Sequence, residues 1–160
     1  VIESPSLYLH LTAAKNISIF SDYAGVEVGE SQNRMLKKLG VDKFMNKKVS
    51  SCSLGMKQRL SLAIAMLGDP DILILDEPTN GLDPSGVIEF RSYLKNLSKD
   101  KTIILATHNL SEVEKLADSV AVLLNGKVIY KGTAESLSKD FTARSLEDIY
   151  LELNGQEHHD

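Results

Sequence analysis

Apolar positions along the chain change period several times, and each change predicts an element. The first thirty residues read as irregular, punctuated by Pro5, Gly25 and Gly29. Between Glu30 and Leu39, the residues Met35, Leu36 and Leu39 recur at helical spacing, and Gly40 ends the run. Ser53 is a hydroxyl N-cap for a helix expected to reach about Leu67. Met56, Leu60, Ala63, Ile64 and Leu67 share one face of that helix, and Gly68 and Pro70 lie beyond its end. The unbroken apolar run Ile72-Leu73-Ile74-Leu75 predicts a strand buried on both faces of a parallel sheet. Asp83 and Pro84 then read as N-cap and first residue of a helix with Ile88, Arg91, Leu94 and Leu97 at matching spacing.

A second apolar strand, from Thr102 to Ala106, runs into Thr107-His108, and a helix is expected over about Ser111 to Ala117. The runs from Ser119 to Leu124 and from Lys127 to Tyr130 flank Asn125-Gly126. That pair suits a type I′ turn, in which both central residues take positive φ. Two short helices are expected between Thr133 and Leu153. Strands alternating with helices make this an α/β chain. The helical stretch from about Glu27 to Val49 reads as a small subdomain inserted before the sheet.

Composition narrows the class without naming a function. The 160 residues are 42% hydrophobic and 25% charged, which is ordinary for a globular protein long enough to bury a core. A net charge of −4 leaves no overall basic footprint for nucleic acid or anionic lipid. The single cysteine, Cys52, excludes an internal disulfide and fits a reducing compartment. No apolar run approaches the roughly 18 residues of a membrane helix. No signal peptide is visible, and the chain starts at Val1 rather than Met, so its natural start is expected elsewhere. The expectation is a globular domain of the cytosol.

Candidate chemistry gathers at the strand ends. Asp76-Glu77 directly follows the first apolar strand, at the carboxyl edge where open α/β sheets bind ligands. Two carboxylates there can divide labour, one holding Mg²⁺ through its waters and the other accepting a proton from an attacking water. Read alone, such a pair is more often a solvated acidic turn. His108 follows the second strand and could hydrogen-bond a phosphate or cap the next helix. Ser53-Leu54-Gly55-Met56 opens a helix whose first N–H groups favour an anion, although an ordinary capped core helix has the same pattern.

Taken together these segments carry a specific resemblance. The run from Asp71 to Pro84, Asp-Ile-Leu-Ile-Leu-Asp-Glu-Pro-Thr-Asn-Gly-Leu-Asp-Pro, resembles the Walker B motif and D-loop of ABC ATPases. Ser51-Cys52-Ser53-Leu54-Gly55-Met56-Lys57-Gln58-Arg59-Leu60 resembles their signature motif, and Ala106-Thr107-His108 their switch-histidine loop. The likeness extends to Ser145-Leu146-Glu147-Asp148-Ile149-Tyr150 and so covers nearly all of the chain. It implies the C-terminal part of a RecA-like P-loop NTPase parallel-sheet core with an inserted α-helical subdomain. Residues 1–68 would hold the Q-loop region, helical subdomain and signature, and residues 69–160 the rest of the core. It implies ATP and Mg²⁺ as cofactors, Asp76 as a metal-holding residue, Glu77 as general base and His108 at the γ-phosphate. Ser53, Leu54, Gly55 and Met56 would lie at the nucleotide of a second ATPase subunit, with Asp83 at that dimer interface. The other partner would be a transmembrane permease at the cytoplasmic face of the membrane, with no nucleic acid.

The signature departs from the common pattern: Cys52 stands for Leu, Leu54 for the first Gly and Met56 for Gln, while Ser53 and Gly55 are kept. The segment Ile2-Glu3-Ser4-Pro5-Ser6-Leu7-Tyr8 resembles the Q-loop region, with Glu3 where most members have Gln and a place in the Mg²⁺ shell implied. A Glu there is similar to the bacitracin- and lantibiotic-resistance exporters, which implies export of antimicrobial peptides or drugs. The alternative is a non-transport ABC ATPase acting on DNA or the ribosome. Its DNA-repair members carry long coiled coils between Q-loop and signature, whereas Glu3 and Ser53 are only 53 − 3 = 50 positions apart. No P-loop, G-x-x-x-x-G-K-[ST], occurs. The Gly126-Lys127 pair is followed by Val128 and has Ala121 at the first glycine position. The chain is therefore expected to be part of a longer subunit and inactive alone.

Overall fold

In the computed structural model, residues 6–133, 135 and 136 are described. The Thr12 side chain accepts the Lys15 N–H at 3.2 Å and starts α1 (Ala13–Ala24), a helix in the segment expected to be irregular. Its pattern is obscured by polar residues that face inward. Asn16 is fully buried and accepts from Tyr8 N at 2.8 Å. Its amide nitrogen donates to the carbonyls of Tyr8 at 3.1 Å and Thr12 at 2.9 Å. Three bonds satisfy this amide and bind residues 8–12 to the helix.

Next come α2 (Glu30–Lys38), 3₁₀ turns at Val41–Phe44 and Val49–Ser51, and α3 (Leu54–Ala65). α1 packs on α3, and both α2 and α3 pack on the first 3₁₀ turn around Leu36, Val41 and Leu60. The helical region thus begins at Ala13 rather than near Glu27. α3 does not bury a single stripe. Gln58, Ser61 and Leu62 are buried along with Leu60 and Ala63, while Met56 and Ile64 are only half-buried. Neighbours on more than one side enclose the helix, so burial follows its surroundings rather than one periodic face.

β1 (Ile72–Asp76) pairs in parallel with β2 (Thr102–Ala106), with Ile72 opposite Thr102 and Asp76 opposite Ala106. Lys101 ties the entrances of both strands, with Nζ 2.6 Å from Asp69 Oδ1 and 2.7 Å from the Pro70 carbonyl oxygen. The sheet corrects the expectation of burial on both faces. Leu73 and Leu75 are buried, but Ile72 is 57% and Ile74 62% exposed on the opposite face. Side chains alternate along a strand, and in the described chain one of the two faces is left open. α4 (Pro84–Leu97) buries Phe90 and Leu94, whereas Ile88 is exposed. Ile88 lies roughly 200° around the helix from Phe90, which the sequence pattern concealed.

The chain divides into two compact units between Ala106 and Thr107. In the second, α5 (Leu110–Leu116) precedes a hairpin of β3 (Ser119–Leu124) and β4 (Lys127–Thr133) with a bulge at Val122/Leu123. Asn125 at φ 48° and Gly126 at φ 79° make the turn with both central residues left-handed, as the sequence predicts. The helices expected beyond Thr133 fall almost wholly outside the described residues, as do Ser145 to Tyr150 and Glu3. No described helix is long and apolar enough to cross a membrane.

Candidate functional site

The carboxyl end of β1 is held in an unusual backbone state. Glu77 N–H donates to the Ala106 carbonyl at 2.9 Å, extending the parallel ladder one residue past Asp76. Glu77 then takes φ 42°, a left-handed conformation that costs a non-glycine residue on the order of 1–3 kcal/mol. Two turn hydrogen bonds fix it, Asn80 N to Glu77 O and Leu82 N to Thr79 O, both 3.1 Å, while Pro78 and Thr79 are buried beneath. The result displays Asp76 in solvent and Glu77 half-buried beside it.

The start of α3 is built against the same turn. Ser53 Oγ accepts the Met56 N–H at 3.3 Å, so the expected N-cap forms. Leu54 is 41% exposed and leans over Gly81, where an added Cβ would come within 2.6 Å of its Cδ2. Gly81 has φ 71°, so this position requires glycine twice over. Gly55 in turn would place a Cβ 3.6 Å from Leu82 Cδ2. Arg59 Nη1 meets Glu89 Oε2 at 3.2 Å and joins α3 to α4. Ser53, Leu54, Gly55 and Asp83 therefore line one cleft of about 990 Å³, with Lys37, Lys38 and Lys43 on its border. Asp83 occupies the N-cap position of α4 without a side-chain cap hydrogen bond, and its pKa lies below the ordinary carboxylate value. The Ser85 hydroxyl is the main cause, opposed by desolvation and aided by nearby backbone N–H groups.

In the second unit His108 is exposed, between Thr107 and the α5 N-cap Asn109. Thr107 Oγ1 accepts the Asn109 N–H at 3.1 Å and donates to Glu112 Oε2 at 3.2 Å. Glu112 is fully buried. It was not foreseen in the sequence. The available signal was its place three residues after an Asn N-cap.

The structure thus brings Ser53, Leu54, Gly55 and Asp83 to one cleft and Asp76 and Glu77 to one strand end. Met56 is half-buried at the same helix start, and Glu3 lies outside the described residues. Among the described residues no three His, Cys, Asp or Glu side chains converge. Mg²⁺ keeps several waters and is held through one or two carboxylates, and Asp76 and Glu77 stand side by side at the strand end in that number. The first N–H groups of α3, uncovered by any side chain at Gly55, fit an anion.

Residues 1–80 match the family model described as ABC transporter, half of the chain. The chain belongs to this family. Among its ABC relatives, the bacitracin transport ATP-binding protein BcrA of Enterococcus faecalis is 40% identical over 87% of the chain and 46% of that protein. The lantibiotic transport ATP-binding protein SrtF of Streptococcus pyogenes is 39% identical over 94% of the chain and 63% of that protein. A solved ATP-binding subunit of an ABC transporter superposes with a TM-score of 0.75 at 29% identity, over 95% of the chain and 66% of that structure. The α/β core is that of the ABC ATPases. The chain covers between 43% and 63% of the length of these and similar curated ABC relatives.

Proposed function

We propose that the protein to which these 160 residues belong is the ATP-hydrolysing subunit of a transporter that drives a separate membrane permease. The observation that carries this reading is Glu77, a carboxylate held in left-handed backbone at the end of a parallel strand, directly after Asp76. Strained non-glycine residues that the surroundings over-determine are characteristic of sites where geometry matters. Asp76 would hold a hydrated Mg²⁺ with Glu3, and Glu77 would take the proton from the attacking water. Bound Mg²⁺ supplies charge neutralisation at the phosphates of ATP. His108 would hydrogen-bond the γ-phosphate.

Ser53, Leu54, Gly55 and Met56 would meet the nucleotide held by a second ATPase subunit, with Asp83 at that dimer interface. The cleft bordered by Ser53, Leu54, Gly55 and Asp83 at the N-terminus of α3 supports this. Residues 1–68 and 69–160 are then a division by role, the first carrying signature and permease contact and the second the catalytic carboxylates. Similarity to bacitracin and lantibiotic transport proteins supports export of antimicrobial peptides or drugs, and favours transport over action on DNA or the ribosome. The subunit would sit at the cytoplasmic face of the membrane through its permease.

The test is Glu77→Gln in the complete protein. Turnover should fall by roughly 10²–10⁴-fold while ATP binding persists. Near-normal turnover removes Glu77 as the base, and lost binding makes it a metal-holding residue instead.

A further inference from the structure

Glu112 has no solvent exposure, and a carboxylate so enclosed is stable only where hydrogen bonds replace its water. Its Oε2 accepts the Thr107 hydroxyl at 3.2 Å, and that hydroxyl oxygen accepts the Asn109 N–H at 3.1 Å. The Glu112 N–H closes the circuit on the Asn109 carbonyl at 2.9 Å. Asn109 Oδ1 also caps α5 through the Ser111 N–H at 3.0 Å. The backbone on both sides of His108 is therefore fastened, while the imidazole itself is exposed.

A residue that only started the helix could do so from the surface. Asn109 already supplies the side-chain cap, and a glutamate in the first turn benefits from the helix dipole without being buried. Burial adds a desolvation cost, and in return the carboxylate orients the one hydroxyl that bridges to Asn109. We infer that Glu112 is a positioning residue, which acts through the Thr107 hydroxyl to hold the turn that presents His108. The value of that turn for turnover rests on the phosphate contact proposed for His108. The holding of the turn stands on geometry alone.

The experiment has two readouts on the complete protein, with Glu112→Ala, Glu112→Gln, Thr107→Val and Thr107→Ser. The first is amide hydrogen exchange. Glu112→Ala and Thr107→Val should each speed exchange at Asn109 by about tenfold or more and leave the β3–β4 hairpin unchanged, since a local opening is being released. The second is kinetics. Both variants should lower kcat by about tenfold with KM for Mg-ATP within about twofold, and the double variant should be no worse than either alone. Thr107→Ser and Glu112→Gln, which keep a hydroxyl and an acceptor oxygen, should restore most of both signals. Thr107→Val breaks the same bond without touching the buried carboxylate, so it decides the matter if Glu112→Ala does not fold. Unchanged Asn109 exchange, or losses in kcat that multiply independently, would overturn the inference. If His108→Ala leaves turnover intact, the phosphate contact of the proposed function fails, and the exchange readout still decides the role of Glu112.

Discussion

At the scale of single residues, the capping positions were legible in the sequence and the buried or strained ones were not. Ser53 and Asp83 announce themselves because a short polar side chain before an apolar helical run has few other uses. Ser53→Ala should destabilise the fold by about 0.5–2 kcal/mol, read from the denaturant midpoint, because Met56 N loses its acceptor. Asp83 makes a pH-dependent contribution. Its folded value lies below the unfolded one, so the stabilisation is complete above the ordinary 3.8 and disappears as pH falls through the folded value. Asn at this position keeps an acceptor oxygen for the Ser85 hydroxyl but not the charge. The difference in melting temperature between wild type and Asp83→Asn should therefore be largest near neutral pH and shrink as pH falls below 3.8 through the lowered folded value. A gap that stays flat with pH would remove the Ser85 contact as its source. The left-handed backbone of Glu77 and the burial of Glu112 left no comparable mark. A left-handed φ and a buried carboxylate depend on contacts with Ala106 and Thr107, which propensity cannot register.

At the scale of elements, helices with a clean apolar period and turns with obligatory chemistry were readable, as α2 and the Asn125-Gly126 hairpin show. α1 was missed because Asn16 and Ser21 occupy buried positions that the period reserves for apolar residues. The two faces of β1 were misjudged because a run of four aliphatics carries no sign of which side is covered. Neighbours also separate two glycines that local conformation alone would treat alike. Gly126 and Gly81 have φ of 79° and 71°, but a Cβ at Gly126 meets nothing within 4 Å, whereas one at Gly81 meets Leu54 at 2.6 Å. Gly126→Ala should cost about 1–2 kcal/mol, the conformational penalty alone. Gly81→Ala should cost more in thermal denaturation, and Leu54→Ala should recover the excess but not the conformational part. Equal costs at the two positions would mean that Leu54 swings away freely and does not brace the turn after β1.

At the scale of the whole molecule, the motifs were more legible than their context, because each is a short run with its own backbone demands. The phosphates are the part of ATP that catalysis must grip, and their usual cradle is a glycine-rich loop with its lysine. No such loop occurs among the 160 residues, where the Gly126-Lys127 pair lies in the β3–β4 hairpin. What remains is the start of α3, the Asp76-Glu77 strand end and the His108 turn, which under the proposed function add to a grip without enclosing three phosphates. Phosphoryl transfer depends on positioning and charge neutralisation together, so losing the cradle removes both. A polypeptide of residues 1–160 should therefore bind Mg-ATP no tighter than the millimolar range and show no turnover above the uncatalysed rate. Calorimetric titration with Mg-ATP checks the first expectation and phosphate release the second. Both should be run beside circular dichroism, so that a folded chain is being assayed. A micromolar dissociation constant from the folded polypeptide would mean that the cleft between the start of α3 and α4 grips nucleotide unaided. Ser53→Ala and Gly55→Val would then abolish that binding if the cleft is responsible, and leave it unchanged if the nucleotide sits elsewhere.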